Sequence, residues 1–135
     1  MMMPVTGQCH CGQIAYEALV DPERVTICHC TDCQRLTGTA YRVTVPAPTA
    51  SFRVLRGTVT TYVKTGSSGR QRVHGFCPQC GSPIWSAAAK DPPTYGLRVG
   101  TLDQRADLPP KKRIWCRSAL AWSESVAGVP GVATE

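Results

Sequence analysis

The sequence predicts a small, mainly β domain of many short strands with one short helix, crosslinked by bound metal. Its 135 residues include 12 Gly and 11 Pro, and only 18% of them are charged. This composition favours short strands and turns over long helices. The 8 cysteines are mostly closely spaced, as metal ligands are, and metal crosslinks would add stability that so small a core lacks. The length fits a single domain, residues 1–135.

Strand patterns recur along the whole chain. From residue 14 to residue 20, for example, apolar side chains alternate with less apolar ones, which is the period of a half-buried strand. Short runs rich in β-branched and aromatic residues indicate further strands. The predicted strands are residues 14–20, 25–28, 41–45, 52–55, 58–63, 70–76, 94–99 and 113–117.

One helix and several turns connect these strands. Thr31 and Asp32 can cap a short helix that Gly38 ends. Residues 46–49 contain two prolines and should break the preceding strand, and Arg56-Gly57 forms a tight turn. We expect a loop over residues 106–112. Residues 125–135 carry little apolar bulk and are predicted to be a flexible tail, or an arm that docks on a partner and could swap within a homo-oligomer.

The chain has no run of about 20 apolar residues and no charged leader followed by an apolar stretch. We therefore expect no membrane segment and a cytoplasmic protein. In that reducing compartment, closely spaced cysteines bind metal more often than they form disulfides. Disulfides or simple structural thiols are the alternative.

Three cysteine clusters stand out, and Cys116 lies apart from them. The clusters are Gly7-Gln8-Cys9-His10-Cys11-Gly12, Cys28-His29-Cys30-Thr31-Asp32-Cys33 and Phe76-Cys77-Pro78-Gln79-Cys80-Gly81. The third cluster places two thiolates on one side of a tight loop, and a structural zinc needs two more ligands. The first cluster is the natural source of that second pair. We therefore assign Cys9, Cys11, Cys77 and Cys80 to one closed zinc site, which would crosslink a loop of roughly 70 residues.

The second cluster supplies three thiolates from one short segment. Cys28, Cys30 and Cys33 would hold a second zinc and leave its fourth position open, which is typical of a catalytic site. The alternative is a second structural zinc, whose fourth ligand would be Cys116, His10, His29 or His74.

The formal net charge is +6, from 15 Lys and Arg against 9 Asp and Glu. Two Zn²⁺ bound by seven thiolates would lower it to about +3. Such a surface attracts small anions at least as well as it attracts nucleic acid.

The order of these motifs resembles the glutathione-dependent formaldehyde-activating enzyme family, which also includes centromere protein V. The matching segments are residues 7–12, 28–33 and 76–81, a Val-Gly-x-Leu-Asp segment at 99–103, and Trp122. The resemblance implies a fold of several small twisted antiparallel sheets, called a β-tent. It implies a structural zinc on Cys9, Cys11, Cys77 and Cys80, and a catalytic zinc on Cys28, Cys30 and Cys33.

The resemblance also implies a carbon–sulfur lyase that reversibly adds glutathione to formaldehyde, giving S-(hydroxymethyl)glutathione. A zinc held by three thiolates is a poor Lewis acid, but it can bind and deprotonate the substrate thiol. Glutathione bears two carboxylates, so we expect arginines in its pocket. Arg35 is the first candidate for substrate binding, and Arg42, Arg72 and Arg98 are weaker candidates.

A non-catalytic zinc module for nucleic acid or another protein is the alternative function. Lys111-Lys112-Arg113 is a basic run close to Trp115. No stripe of alternating basic and aromatic residues continues it, so nucleic acid is the less favoured partner, and a small thiol together with an aldehyde is the favoured one.

Overall fold

The computed structural model describes all residues from Met1 to Glu135. It has 10 strands in two sheets and a single α-helix. The elements are β1 (Met3–Gln8), β2 (Ala15–Val20), β3 (Thr26–Cys28), α1 (Thr31–Thr37), β4 (Arg42–Pro48), β5 (Arg53–Arg56), β6 (Thr60–Thr65), β7 (Gln71–Phe76), β8 (Pro83–Ala88), β9 (Thr94–Arg98) and β10 (Lys112–Ile114). The chain is thus mainly β, as its composition predicts. None of its helices is long and apolar enough to cross a bilayer.

The smaller sheet is antiparallel, with strand order β1-β2-β5. Its central strand places Tyr16 opposite Gly7. The Tyr16 ring is fully buried, and a Cβ atom on Gly7 would lie only 2.4 Å from it. Glycine at position 7 is therefore what allows the ring to lie across β1, where its hydroxyl contacts Thr101 Oγ1 at 2.6 Å.

The larger sheet has seven strands in the order β10-β3-β4-β9-β8-β7-β6. Its pairs are antiparallel except that β10 runs parallel to β3. The apolar core combines residues of both sheets, including Val5, Val20, Val45 and Leu97. A chain of aromatic contacts also crosses the core, joining Tyr16, Phe52, Tyr95 and Trp85 with centroid distances of 5.5, 4.9 and 4.8 Å.

The sequence does not predict two of the strands, and one strand end that it does predict is wrong. The unpredicted strands are β1 and β8. Residues 46–48 continue β4 despite their two prolines. The pairing explains this, because β3 pairs only with residues 42–44 of β4, whereas residues 45–48 pair with β9 alone. One side of this half of β4 is thus a free edge, where a proline interrupts no hydrogen bonds.

The predicted turn at Arg56-Gly57 joins strands of different sheets and not the two arms of a hairpin. β5 belongs to the smaller sheet and β6 to the larger one. Gly57 has a φ of +81°, and a Cβ atom there would lie 2.3 Å from the carbonyl oxygen of Gln13. Both the turn geometry and the close approach of the backbone therefore require glycine at this crossing.

The C-terminal part is less regular than the sequence predicts. The predicted strand 113–117 is found only as Lys112–Ile114, because Trp115 adopts a left-handed conformation with φ of +57° and a 3₁₀ helix, Cys116–Ser118, follows. Residues 125–135 are all exposed and contain one further 3₁₀ helix, Val126–Gly128.

Candidate metal centres and the adjoining pocket

Four cysteines from two distant segments meet at one point. The sulfurs of Cys9, Cys11, Cys77 and Cys80 all lie within 4.8 Å of one another. The distance between Sγ atoms is 3.6 Å for Cys9 and Cys11 and 3.8 Å for Cys11 and Cys77. Four sulfurs bound tetrahedrally to zinc at about 2.3 Å would be about 3.8 Å apart, whereas a disulfide needs about 2.05 Å. The donor set therefore fits a closed zinc site and not a disulfide.

Two similar loops present these sulfurs. The first follows β1 and turns at Gly12, and the second follows β7 and turns at Gly81, both with φ of +79°. In each loop the glycine N–H donates to the carbonyl of the first cysteine, Cys9 or Cys77. Glycine is needed at both turns because other residues rarely adopt this conformation.

Backbone N–H groups point at the sulfurs of these loops. The Ile14 N–H donates to Cys9 Sγ at 3.2 Å, and the Gln79 N–H to Cys77 Sγ at 3.4 Å. The Ser82 hydroxyl lies 3.3 Å from Cys80 Sγ, and its hydrogen bond lowers the pKa of that thiol to about 5. Such contacts stabilise thiolates, the form that binds metal.

The second centre is formed by Cys28 at the end of β3, Cys30 just before α1, and Cys33 within α1. Their three sulfurs also lie within 4.8 Å of one another. Hydrogen bonding to the Cys33 thiol, with a smaller contribution from the charge of the Arg42 guanidinium, lowers the pKa of Cys28 to about 5. Three half-buried thiols so close together could bind a metal ion, and both clusters are compatible with zinc.

The start of α1 differs from the prediction. The N-cap is Cys30, whose sulfur accepts the Cys33 N–H at 3.2 Å, and not Thr31 or Asp32. Asp32 instead pairs with Lys64 of β6 at 2.7 Å, which ties the helix to the larger sheet. The predicted end of the helix is confirmed, since Gly38 is the left-handed C-cap and its N–H donates to the Gln34 carbonyl at 2.8 Å. The Cys30 sulfur thus also organises the helix that carries Cys33.

No side chain completes the second centre. Cys116, His10, His29 and His74 are all absent from the group around Cys28. His29 is buried, and its ring packs edge-on against Tyr41 with centroids 5.4 Å apart. Cys116 lies in an exposed 3₁₀ helix after β10. The structure therefore groups three thiols at this centre and four at the other.

The register of the larger sheet aligns polar residues beside this centre. Residues paired directly across antiparallel strands project to the same face, and residues two apart on one strand share a face. One face therefore carries these pairs in succession: Cys28 with Arg42, Thr44 with Arg98, Gly96 with Ser86, Ser86 with His74, and His74 with Tyr62. We call this the polar face, and the Asp32–Lys64 ion pair places α1 over it.

A cavity of about 370 Å³ opens on the polar face. It is lined by Leu36 of α1, by Gly81 of the loop after β7 and by residues of five strands, among them Arg42, Tyr62, His74, Trp85 and Arg98. Arg42 is the link to the second centre, because it faces Cys28 across β3 and β4. The three-cysteine centre and the cavity are therefore neighbours.

Two buried arginines and a histidine form a cationic cluster in this cavity. Arg42 and Arg98 are each only 6% exposed. Arg42 Nη1 and Arg98 Nη2 lie 3.3 and 3.4 Å from the same atom, His74 Nδ1. Burial, together with the charges of Arg98 and Arg42, lowers the pKa of His74 to about 4. His74 is therefore neutral at pH 7 and accepts a hydrogen bond from a guanidinium.

Comparison with known proteins identifies the family. The model of the family described as glutathione-dependent formaldehyde-activating enzyme matches residues 4–118. The chain belongs to this family. The crystal structure of a Rhodobacter sphaeroides protein, a structural genomics target, is similar to it with a TM-score of 0.64 and 26% sequence identity, covering 80% of this chain and 98% of that one. The resemblance found in the sequence motifs is thus confirmed, as is the mainly β fold with cysteine clusters that could hold zinc.

The glutathione-dependent formaldehyde-activating family implies an anionic substrate, so the positions of the arginines matter. Arg35, the first candidate, is exposed on α1 and is not among the residues that line the cavity. Arg72 is exposed and donates to Ser86 Oγ at 3.2 Å. The weaker candidates Arg42 and Arg98 are the ones that line it. Sequence reasoning ranked Arg35 first because it is near Cys33 in sequence, whereas Arg42 approaches Cys28 only through strand pairing.

The basic run is largely engaged in ion pairs in this family member. Lys111 pairs with Glu23 at 3.6 Å, and Arg113 pairs with Glu124 at 2.8 Å. Lys112 lies in β10 and is exposed. Two of the three cations thus already have acidic partners on the surface.

Proposed function

We propose that this protein is a zinc-dependent carbon–sulfur lyase that acts on thiol–aldehyde adducts, with glutathione and formaldehyde as the pair that its family implies. The observation that supports this most strongly is the asymmetry of the two centres. Four cysteines form one group and three form the other, and Arg42, which faces Cys28 of the three-cysteine group across β3 and β4, lines the cavity of the polar face. A centre that lacks a fourth protein ligand next to a pocket is typical of catalytic zinc sites.

Cys28, Cys30 and Cys33 are the ligands we assign to the catalytic metal. A zinc ion bound there would supply a position at which a thiol loses its proton near neutral pH. The Cys33 N–H bond to Cys30 Sγ fixes the direction of one ligand. The Arg42 guanidinium balances part of the negative charge of the sulfurs. These residues thus hold the donor set in one geometry.

In the direction of synthesis, the substrate thiolate forms a bond from its sulfur to the aldehyde carbon. The carbon–oxygen π bond opens at the same time, and the oxygen takes up a proton equivalent to the one that the thiol lost. Cleavage of the adduct reverses each change, so no oxidant or reductant is needed. The cavity next to Cys28 would hold the aldehyde and the thiol together, which lowers the entropic part of the barrier.

Cys9, Cys11, Cys77 and Cys80 are the ligands we assign to a structural zinc. Cys11 and Cys77 are 66 residues apart in sequence. The site would therefore join the loop after β1, in the smaller sheet, to the loop after β7, in the larger one. Crosslinks across such long loops remove much chain entropy from the unfolded state.

Formaldehyde and glutathione combine without a catalyst, so the test must measure acceleration. Exchange spectroscopy with ¹³C-formaldehyde gives the rates of adduct formation and cleavage at equilibrium. We expect the zinc-loaded protein to raise both rates by the same factor, and Cys33→Ser to abolish this acceleration. Cys116→Ser is the matched control, because its thiol belongs to neither centre. An identical exchange rate with and without protein would refute the proposed function.

A further inference from the structure

The cationic cluster of Arg42, Arg98 and His74 lacks the partner that buried charges normally have. The ion pairs of the structure are Arg53–Glu17, Lys64–Asp32, Lys111–Glu23 and Arg113–Glu124. None includes Arg42 or Arg98, although each is only 6% exposed. Buried charges are rare in proteins unless they are paired, because their desolvation costs several kcal/mol.

The cluster also has more hydrogen-bond donors than acceptors. A guanidinium carries five N–H donors and no acceptor. The acceptors present are His74 Nδ1, which both arginines approach, and Thr44 Oγ1, which accepts from Arg98 Nη1 at 2.8 Å. Arg42 Nε, Arg98 Nε and His74 Nε2 are buried and have no partner. Because His74 Nδ1 accepts, its proton sits on Nε2, so all three of these atoms are donors.

The neighbouring metal centre balances only part of this charge. Three thiolates and one Zn²⁺ would carry a net charge of about −1, against about +2 for two guanidinium groups. His74, which is neutral at pH 7, adds nothing to the sum. A positive charge remains at the cavity, together with donors that lack acceptors. A carboxylate has the matching properties, since it is an anion, accepts only, and can bind two donors of one guanidinium.

We propose that Arg42, Arg98 and His74 form a carboxylate-binding site beside the Cys28–Cys30–Cys33 centre, and that the substrates of this centre therefore carry a carboxylate. Two sources can supply it. In glutathione the carboxylate is part of the substrate that carries the thiol. In a small oxo acid such as glyoxylate it is part of the electrophile. The role of this site in catalysis rests on the proposed function. Carboxylate binding itself can be measured without any reaction.

Binding is best measured by calorimetry on the zinc-loaded protein with ligands that separate the two sources. S-methylglutathione has both carboxylates of glutathione but no free thiol. Its dimethyl ester has no carboxylate and no free thiol. Glyoxylate carries its carboxylate on the electrophile, and its methyl ester does not. Binding of either acid, with clearly weaker binding of the matching ester, supports the site and identifies the source. Equal binding of acid and ester, or no binding of either acid, would overturn the proposal.

Variants separate this site from a structural role of the arginines. We expect Arg98→Met to weaken binding of the acid about 10- to 100-fold, the effect of losing a charge-assisted hydrogen bond. Its melting temperature should stay equal or rise, because an unpaired buried charge has been removed. The control is Arg70→Met, an exposed arginine outside the cavity. Unchanged binding by Arg98→Met, with a lower melting temperature, would assign Arg98 to the framework only.

A second variant covers the case in which Arg98→Met does not fold. Arg42→Lys keeps the cation but loses the planar fork, so it should fold and still bind the acid at least several-fold more weakly. Binding equal to that of the unmodified protein would contradict the site. No free thiol is present in these binding measurements, so they do not depend on catalysis. Absence of exchange catalysis would therefore refute the proposed function without contradicting the carboxylate site.

Discussion

The Arg42 guanidinium lies 3.3 Å from Nδ1 of His74, although the two residues are 32 positions apart in sequence. Arg42 also faces Cys28 across β3 and β4. One arginine therefore contacts the cavity histidine and lies next to the three-cysteine centre. A change in the charge of the cavity should consequently affect both the stability of the fold and the ligands that the cavity accepts.

The first prediction concerns the pH dependence of stability. His74 has a pKa of about 4 in the folded chain, against about 6.5 when unfolded. Between these values the unfolded chain binds the extra proton, so stability rises with pH across this window and is lost as the pH falls through it. After allowance for the partial exposure of the ring, we expect His74 to contribute about 1–2 kcal/mol to this change.

The measurement for His74 is urea denaturation of the unmodified protein and of His74→Gln, at pH 4.5 and pH 7. The groups that act on His74 are Arg98, Arg42, Lys64 and Arg72, and all are cationic at both pH values. The difference between the two proteins should therefore change with pH only through the imidazole. Identical pH profiles for the two proteins would show that His74 does not titrate in this way.

The second prediction separates the two metal centres. Cys77→Ser removes one thiol of the four-cysteine group to which we assign a structural zinc, and it should leave the chain largely unfolded, because structural zinc contributes a large part of the folding free energy of small domains. Cys33→Ser should lower the metal content by one equivalent and retain the fold. Cys116→Ser should keep both metals. Elemental analysis and circular dichroism on the three variants test this, and loss of one metal in Cys116→Ser would make Cys116 a ligand.

The third prediction concerns the crossing between the sheets. Gly57 and Gly69 both have positive φ, +81° and +84°, but a Cβ atom would meet a close neighbour only at Gly57, where the Gln13 carbonyl oxygen would be 2.3 Å away. We expect Gly69→Ala to cost about 1–2 kcal/mol through backbone strain alone. Gly57→Ala should cost at least about 3 kcal/mol because the steric clash is added. Thermal unfolding measures both, and equal costs would mean that the crossing can relax.

The fourth prediction addresses the alternative function as a nucleic-acid module. Because Lys111 and Arg113 are paired with Glu23 and Glu124, we expect no measurable binding of a duplex DNA of mixed sequence at physiological salt. Fluorescence anisotropy over a range of salt concentrations tests this. Binding that weakens steeply with salt would instead show several phosphate contacts and favour the module.

Sequence alone locates the cysteine clusters but not the cavity. Each cluster is local, with cysteines two or three positions apart, so its chemistry is visible without a fold. The cationic cluster is different, because Arg42, His74 and Arg98 lie on three strands, β4, β7 and β9, and meet only through the register of the larger sheet. No local pattern in the sequence ranks these arginines above Arg35.

The sequence does not predict strands β1 and β8 for a similar reason. β8 contains Pro83, Ala87 and Ala88, residue types with low strand preference. It is a strand because β7 and β9 pair with it on both sides. β1 begins at Met3 and includes Pro4 and Gly7, and its state likewise depends on pairing with β2. Tertiary pairing overrides local propensity in both cases.

The most direct test of the central claim is ¹¹³Cd NMR of the cadmium-substituted protein, because it reports each centre separately. We predict two resonances, one typical of four sulfur ligands and one of three. Glutathione should move only the second, towards the position of the first, and S-methylglutathione should not do so. Two four-sulfur resonances before any thiol is added, or a spectrum that glutathione leaves unchanged, would contradict a substrate sulfur at the Cys28–Cys30–Cys33 centre.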